Sequence, residues 1–182
     1  MTVRVPITVR PASPGEYARV GELTVAAYRA LPVDHLWGGY EEGILDTRER
    51  ARTTEIIVAV AGGHIVGAVT YVANSASEWS EATEPGEAQF RLLAVDPAAR
   101  GQGAGLALVR ACTDRAAAAG QPLLIHTTRW METARRMYER VGFVRRPDRD
   151  VPYEAWHGDR ELNLPSEWVG EPFLAYGLPP AP

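Results

Sequence analysis

The sequence predicts an α/β fold of the α+β kind, with helices flanking a mixed central β-sheet in the order βααβββαβαββ. Three observations carry that expectation. Short runs rich in Val, Ile and Leu recur along the chain, such as "EIIVAVA" at 55–61 and "IVGAVTYV" at 65–72. Single stretches of helical spacing separate them, as with Tyr17, Val20, Leu23, Ala27 and Leu31. Glycines mark the stops: Gly120 and Gly142 each directly follow a helical stretch.

Taken in order, "VRVPITV" at 3–9 reads as a first strand, with Pro6 placing it at an edge. "SPGEY" then opens a helix. Ser13 is the N-cap, Pro14 the first helical residue, and Glu16 the capping-box partner; the helix runs to about Arg29. A loop carrying His35 and Trp37 leads to a second helix over 41–53. Gly62-Gly63-His64 joins the next two strands as a hairpin. Residues 74–87 form a polar loop with Glu78, Glu81, Glu84 and Glu87; residues 88–95 form a strand. A helix follows from about Gly103 to Ala119, then a strand at 122–128 and a helix at 131–141. "FVRR" is a short strand, and "PFLAYGL" at 172–178 the last one. Between them, 147–170 has no clear period and reads as a long loop before the last strand of a single domain, 1–182.

The composition narrows the function classes. The net charge is -4 and the pI near 5.6, so nucleic acid is not the expected partner. The single cysteine, Cys112, forms no intramolecular disulfide and reads as a small buried thiol. No stretch approaches the ~18 apolar residues of a membrane span, and "MTVRVPITVRP" lacks a signal-peptide pattern. The expected location is cytoplasmic, with no membrane partner.

The stretch with the most chemistry is "RLLAVDPAARGQGAG" at 91–105. It runs from a strand end, Val95-Asp96, through Arg100, Gly101, Gln102, Gly103, Ala104 and Gly105 into a helix N-terminus. Unpaired N–H groups and the helix dipole favour an anion there, and glycine lets a phosphate reach the backbone. The glycine spacing fits neither the dinucleotide fingerprint nor the P-loop. What fits is Arg-x-x-Gly-x-Gly after Val-Asp-Pro.

"LAVDPAARGQGAGLALVRAC" resembles the coenzyme A motif of the GCN5-related N-acetyltransferase (GNAT) superfamily. "ARRMYERVGF", Ala134 to Phe143, resembles its second signature, and the predicted element order matches its fold. The resemblance covers most of the chain. It implies acetyl transfer from acetyl-CoA to a primary amine of a small molecule, peptide or protein, by direct attack through a tetrahedral intermediate, with no metal. It assigns the pyrophosphate to the backbone from Arg100 to Gly105, with Arg100 either adding charge to a phosphate or capping a nearby carbonyl. It gives the pantetheine arm to Leu93, Ala94 and Val95, with Ala134 alongside. The thioester oxygen would be met by the N–H of Val95 or Ala94. Tyr138 would be the general acid for the leaving thiolate. On spacing alone, Tyr138 shares a helix face with Ala134, Met137 and Val141 and reads as a core aromatic.

Two positions depart from the family pattern. Where many members carry a catalytic Glu, this chain has Gln89, which cannot take a proton; it stands among the residues expected to line the acceptor. Glu87 is the expected base through water, with His126 a second candidate. Where members carry an Asn for the pantetheine arm, this chain has Met131. Tyr28, His35, Trp37 and Tyr40 are placed to line the acceptor. A homodimer is a family expectation. Two alternatives stand beside the enzyme: a non-catalytic acyl-CoA-binding or sensing domain, and a transferase for a longer acyl-CoA.

Overall fold

Seven strands make one mixed sheet in the order β1-β2-β3-β4-β5-β7-β6 in the computed structural model, which describes residues 5–31, 40–81, 83–152 and 170–180. Strand β1 (Ile7–Pro11) begins later than the sequence suggests. Pro6 sits just before it and Pro11 ends it, so both prolines flank an edge strand. A 3-10 turn over Pro14–Glu16 then leads into α1 (Tyr17–Arg29). The expected cap forms: the Glu16 carboxylate accepts from the Ser13 N–H at 2.8 Å and from its hydroxyl at 2.9 Å.

The single second helix expected over 41–53 is instead two short helices, α2 (Tyr40–Leu45) and α3 (Thr47–Arg50). Asp46 causes the break. Its side chain accepts from the Glu49 N–H at 3.0 Å and starts a new helix. The hairpin follows as read: β2 (Glu55–Ala61) and β3 (His64–Val72) join at Gly62 and Gly63, both left-handed with φ of 58° and 81°. Then come β4 (Ala88–Val95), α4 (Ala104–Ala118), β5 (Leu123–Thr127), α5 (Glu132–Val141), β6 (Val144–Arg145) and β7 (Leu174–Leu178). The expected loop from 147 starts with a 3-10 turn, Pro147–Arg149, and Val151 bridges to Phe173.

Helices cover both faces of the sheet. On one face α1 lays Val20 on Ile56, Val58 and Ala68, and lays Leu23 and Ala27 on Ala94. On the other, Leu108, Val109 and Cys112 of α4 and Tyr138 of α5 pack on Ile57, Val69, Phe90 and Ile125. Full burial of a side chain such as Leu108 is worth about 1.5–3 kcal/mol, and α4 is therefore fixed firmly against the sheet. The Arg115 guanidinium adds a two-pronged contact to Glu55, 2.7 Å at each oxygen. Cys112 is buried as expected, and burial pushes its thiol far up.

Two features of β4 shape everything near it. It pairs with β5 in parallel at Ala88–Leu123 and Gln89–Leu124, the pairs recorded between the two strands. Beyond Gln89 they part. It also carries a bulge against β3, where Thr70 faces Arg91 but Ala68 faces Ala94. Leu92 takes up the extra residue with φ of 53°, the one non-glycine in the left-handed region among the described residues.

The bulge switches side-chain parity. Phe90 points to the α4 and α5 face, and Leu93 and Val95 do so after the bulge. Leu92 and Ala94 point to α1, in clusters with Val25, Ile44, Leu23 and Ala27.

Gly21, in the middle of α1, makes the close approach to α2. A Cβ there would lie 2.7 Å from the Leu45 carbonyl oxygen. Gly21→Ala is expected to destabilise the protein by roughly 1–3 kcal/mol despite alanine's better helix propensity. Chemical denaturation checks it; an unchanged or raised midpoint would show that α2 yields freely.

Candidate active site

The glycine stretch ends β4 and starts α4. Asp96 accepts from the Ala98 N–H at 2.9 Å and anchors a 3-10 turn over Pro97–Ala99. Gly101 and Gly103 then take left-handed φ of 78° and 98°, which β-branched or bulky residues avoid. Gly103 is the N-cap of α4, and no side chain caps the helix there. Its carbonyl takes the Ala107 N–H at 3.0 Å, so the N–H groups of Ala104, Gly105 and Leu106 have no intrahelical acceptor. Arg100, Gly101 and Gln102 are exposed, and Gly103 and Gly105 partly so. A 15-residue helix thus aims its positive end outward through bare backbone. The Arg100 guanidinium reaches the Ala27 carbonyl at the end of α1 at 3.5 Å.

The parted strands lie beside this helix end. The Asp96 N–H donates to the Val66 carbonyl at 2.9 Å on β3. Strand alternation therefore turns the Val95 and Leu93 N–H groups to the β5 side and the Ala94 N–H to β3. Of the two N–H groups offered by the sequence for a developing oxyanion, Val95 is the one that faces the gap.

Tyr138 is buried on α5, 6% exposed, edge-on to Phe90 at 5.8 Å between ring centres and tilted against Phe143 at 5.9 Å. Burial pushes its phenol well up, so it stays protonated at neutral pH. It is a core aromatic, as its spacing suggests. Ala134 packs on the same core, one turn earlier. At the N-terminus of α5 the Met131 sulfur accepts from the Thr127 hydroxyl at 3.5 Å. The Thr128 hydroxyl at the end of β5 is buried with no partner among the described residues.

The opposite face holds a charged cluster that the sequence did not disclose. Arg91 of β4 is bound to the Glu81 carboxylate and donates to the Trp79 carbonyl at 3.1 Å. Its guanidinium also lies over the Trp79 ring, 5.6 Å from the centroid. Arg50 of α3 approaches the same ring at 5.7 Å. Arg50 is only 1% exposed and donates to the Gly43 and Ile44 carbonyls at the end of α2, at 2.9 and 2.6 Å. Burial lowers its pKa to about 10, and it remains charged. Tyr28 of α1 and Tyr40 of α2 border the cluster, and burial raises both phenols. His35 and Trp37 lie outside the described residues, as do Trp156, His157 and Trp168.

The acidic loop is therefore not a uniformly solvated face. Glu78 and Glu84 are exposed, but Glu81 and Glu87 are tied down. Glu87 receives both prongs of Arg149, at 3.0 and 2.9 Å. Arg149 and the Glu84 N–H hold its carboxyl below the usual range despite burial, which makes it a weak base. That corrects the expectation of Glu87 as base. His126 is also engaged. Its Nε2 lies 3.1 Å from the Arg149 carbonyl and its Nδ1 lies 3.4 Å from the Gln89 amide nitrogen, and burial lowers its pKa.

Gln89 is 1% exposed and does not present its amide to an acceptor. Its oxygen accepts from the Glu81 N–H at 2.9 Å, and its nitrogen donates to the Glu81 carbonyl at 3.0 Å. Gln89 thus clamps the backbone of the loop that carries Glu81. Among the described residues, no three or more His, Cys, Asp or Glu gather as a metal site, and no helix is long and apolar enough to cross a membrane.

No curated protein matches the sequence. Solved structures do match the fold. One is a Corynebacterium glutamicum protein described as histone acetyltransferase HPA2 and related acetyltransferase, 22% identical, covering 97% of each chain with a TM-score of 0.68. Another is yncA of Salmonella typhimurium, solved with its cofactor acetyl-CoA, 15% identical over 95% of this chain and 93% of that one, TM-score 0.67. A third is the ribosomal-protein-S18-alanine N-acetyltransferase of Escherichia coli, 17% identical over 97% and 96%, TM-score 0.68. The model of the Acetyltransferase (GNAT) family matches residues 20–143, the span from α1 through both glycine-bearing motifs, and the chain belongs to that family.

Proposed function

We propose that the protein is an N-acetyltransferase that moves the acetyl group of acetyl-CoA to a primary amine by direct attack. The observation that carries this reading is the uncapped, glycine-led N-terminus of α4 beside the gap between β4 and β5. It offers bare N–H groups to a pyrophosphate at one end and unpaired strand backbone to an extended arm at the other. Family membership and a fold neighbour solved with acetyl-CoA support the donor.

In this reading Arg100 through Gly105 hold the pyrophosphate. Leu93 and Val95 bond the pantetheine arm as an added strand, flanked by Ala94 and Ala134. The Thr128 hydroxyl supplies the polar contact that Met131 cannot make. The Val95 N–H meets the oxygen that gains charge as the amine adds to the carbonyl. Tyr138 donates to the departing thiolate, a role suited to a phenol kept protonated by burial. The acceptor enters on the α1 and α2 face, past Tyr28 and Tyr40. It is a small-molecule or peptide amine; the Escherichia coli neighbour is named for a protein alanine.

Free-thiol release from acetyl-CoA over polyamines, amino acids, aminoglycosides, arylamines and short peptides tests the function. Amine-dependent release establishes it, and silence across the panel with acetyl-CoA bound removes it. Gly103→Leu is expected to abolish acetyl-CoA binding in calorimetry, because it fills the cradle and strains a φ of 98°; wild-type affinity in a folded variant would refute the cradle. Tyr138→Phe is expected to lower kcat by on the order of 10²-fold or more with little change in acetyl-CoA affinity; unchanged kcat would remove its role as acid.

A further inference from the structure

An alkyl ammonium must lose a proton before its nitrogen can attack a thioester. Gln89 cannot take that proton. Glu87 is clamped by Arg149, and both ring nitrogens of His126 are engaged. We propose that Glu81 is the group that accepts the proton of the acceptor ammonium, and that Gln89 is the positioning residue that fixes Glu81 in place. The proposal rests on the acetyl-transfer reading and deepens it.

The argument is one of placement. Gln89 is the last β4 residue paired with β5, so it sits at the apex of the gap. Its amide grips the backbone of Glu81 at both ends, at 2.9 and 3.0 Å. Glu81 is thereby held at the apex, on the face away from α4. Arg91, two residues further along β4, binds the Glu81 carboxylate and fixes its direction. Tyr28 comes from α1 and Tyr40 from α2, and both feel the charge of Glu81. Tyr28 also feels Tyr138, which belongs to the opposite face of the sheet. Glu81 therefore lies on the α1 and α2 side of the sheet and Tyr138 on the α4 and α5 side.

The Glu81 side chain is 22% exposed, enough to meet a ligand and too little for full hydration. The charged and titratable groups facing it are Arg91 from β4, Tyr28 from α1 and Tyr40 from α2, with Arg50 of α3 beside Tyr40. Burial outweighs the attraction of Arg91 and pushes the carboxyl up to about 7. A carboxyl raised in this way is a stronger base than an ordinary glutamate.

The step balances. An ammonium N–H bond breaks and its proton passes to a Glu81 carboxylate oxygen. The freed lone pair forms the N–C bond to the thioester carbonyl. Collapse breaks the C–S bond, and the thiolate takes the Tyr138 proton. The phenolate recovers a proton from the amide nitrogen, and Glu81 returns its own to solvent.

The test compares wild type, Glu81→Gln, Glu81→Asp and Gln89→Ala, using acetyl-CoA and the panel amine that wild type acetylates fastest. Wild-type kcat/KM is expected to rise with pH and to break near 7. Glu81→Gln is expected to lose roughly 10²–10⁴-fold at pH 7, to lack that break, and to keep rising until the amine itself deprotonates. Its loss should be far smaller with a fluorinated analogue of the amine that is already neutral at pH 7. Acetyl-CoA affinity should be unchanged, and Glu81→Asp should restore the break. Gln89→Ala should shift the break down toward the ordinary carboxylate range. A second readout needs no turnover. In protein labelled with ¹³C at glutamate Cδ, one carbon should titrate near 7 and be missing from Glu81→Gln.

A retained break in Glu81→Gln, an equal loss with both amines, or no carbon titrating between about 6 and 8 would each overturn the proposal while leaving acetyl transfer intact. Failure of every amine to release thiol would instead bring down the acetyl-transfer reading, and this role with it, even with the titrating carbon present.

Discussion

The left-handed backbone at Leu92 lets one strand meet two incompatible demands. Before it, β4 must pair with β5 and bury Phe90 under α4 and α5. After it, β4 must leave β5 and still bury something on each face. Inserting one residue resolves the conflict. Leu92 and Ala94 turn to α1, Leu93 and Val95 to α4, and the outer backbone of Val95 is left facing a gap. Such a conformation costs about 1–3 kcal/mol. Burial of the Leu92 side chain between Val25 and Ile44 over-determines it. The bulge thus sets which backbone groups of β4 face away from β3 along the stretch beyond its last pairing with β5.

A second constraint is electrostatic. Arg50, Arg91 and Glu81 are all largely withdrawn from water, with the Trp79 ring close to both guanidinium groups. Such burial is expensive unless donors and acceptors are matched. The two terminal nitrogens of Arg50 are matched by carbonyls at the end of α2, where a helix leaves acceptors unfilled, and by the Thr47 hydroxyl, while its Nε is buried without a partner among the described residues. The break at Asp46 thus has a use: it exposes those carbonyls to Arg50 and turns α3 toward the cluster. The two short helices and the β3–β4 loop form one unit on the α1 face of the sheet, tied through Arg50, Trp79 and Arg91.

Much of the architecture was legible in the sequence because its signals are local. The Ser13–Glu16 cap, the Gly62-Gly63 turn, the stops at Gly120 and Gly142 and the glycine turn from Arg100 to Gly105 each depend on a few neighbouring residues. The second helix was misjudged for want of one such signal, since Asp46 with Glu49 is itself a capping pattern. The bulge was hidden, because "RLLAV" looks the same in either register and nothing marks Leu92 for a positive φ. The loop acids were hidden for a different reason. Whether Glu81 or Glu87 is solvated depends on Arg91 and Arg149, ten and sixty-two positions away, and single-sequence reading has no access to such pairings.

The clamp on Glu81 grips main chain only. Gln89 bonds the N–H and carbonyl of residue 81, groups that nearly any amino acid would supply. The anchor is therefore indifferent to the side chain it carries. A mutation at 81 leaves these two backbone bonds in place while removing the partner of the buried Arg91 guanidinium. An acid fixed on the strand itself would be bound up with the sheet. Here the acid sits on a loop, and Gln89 of the strand holds only that loop's backbone.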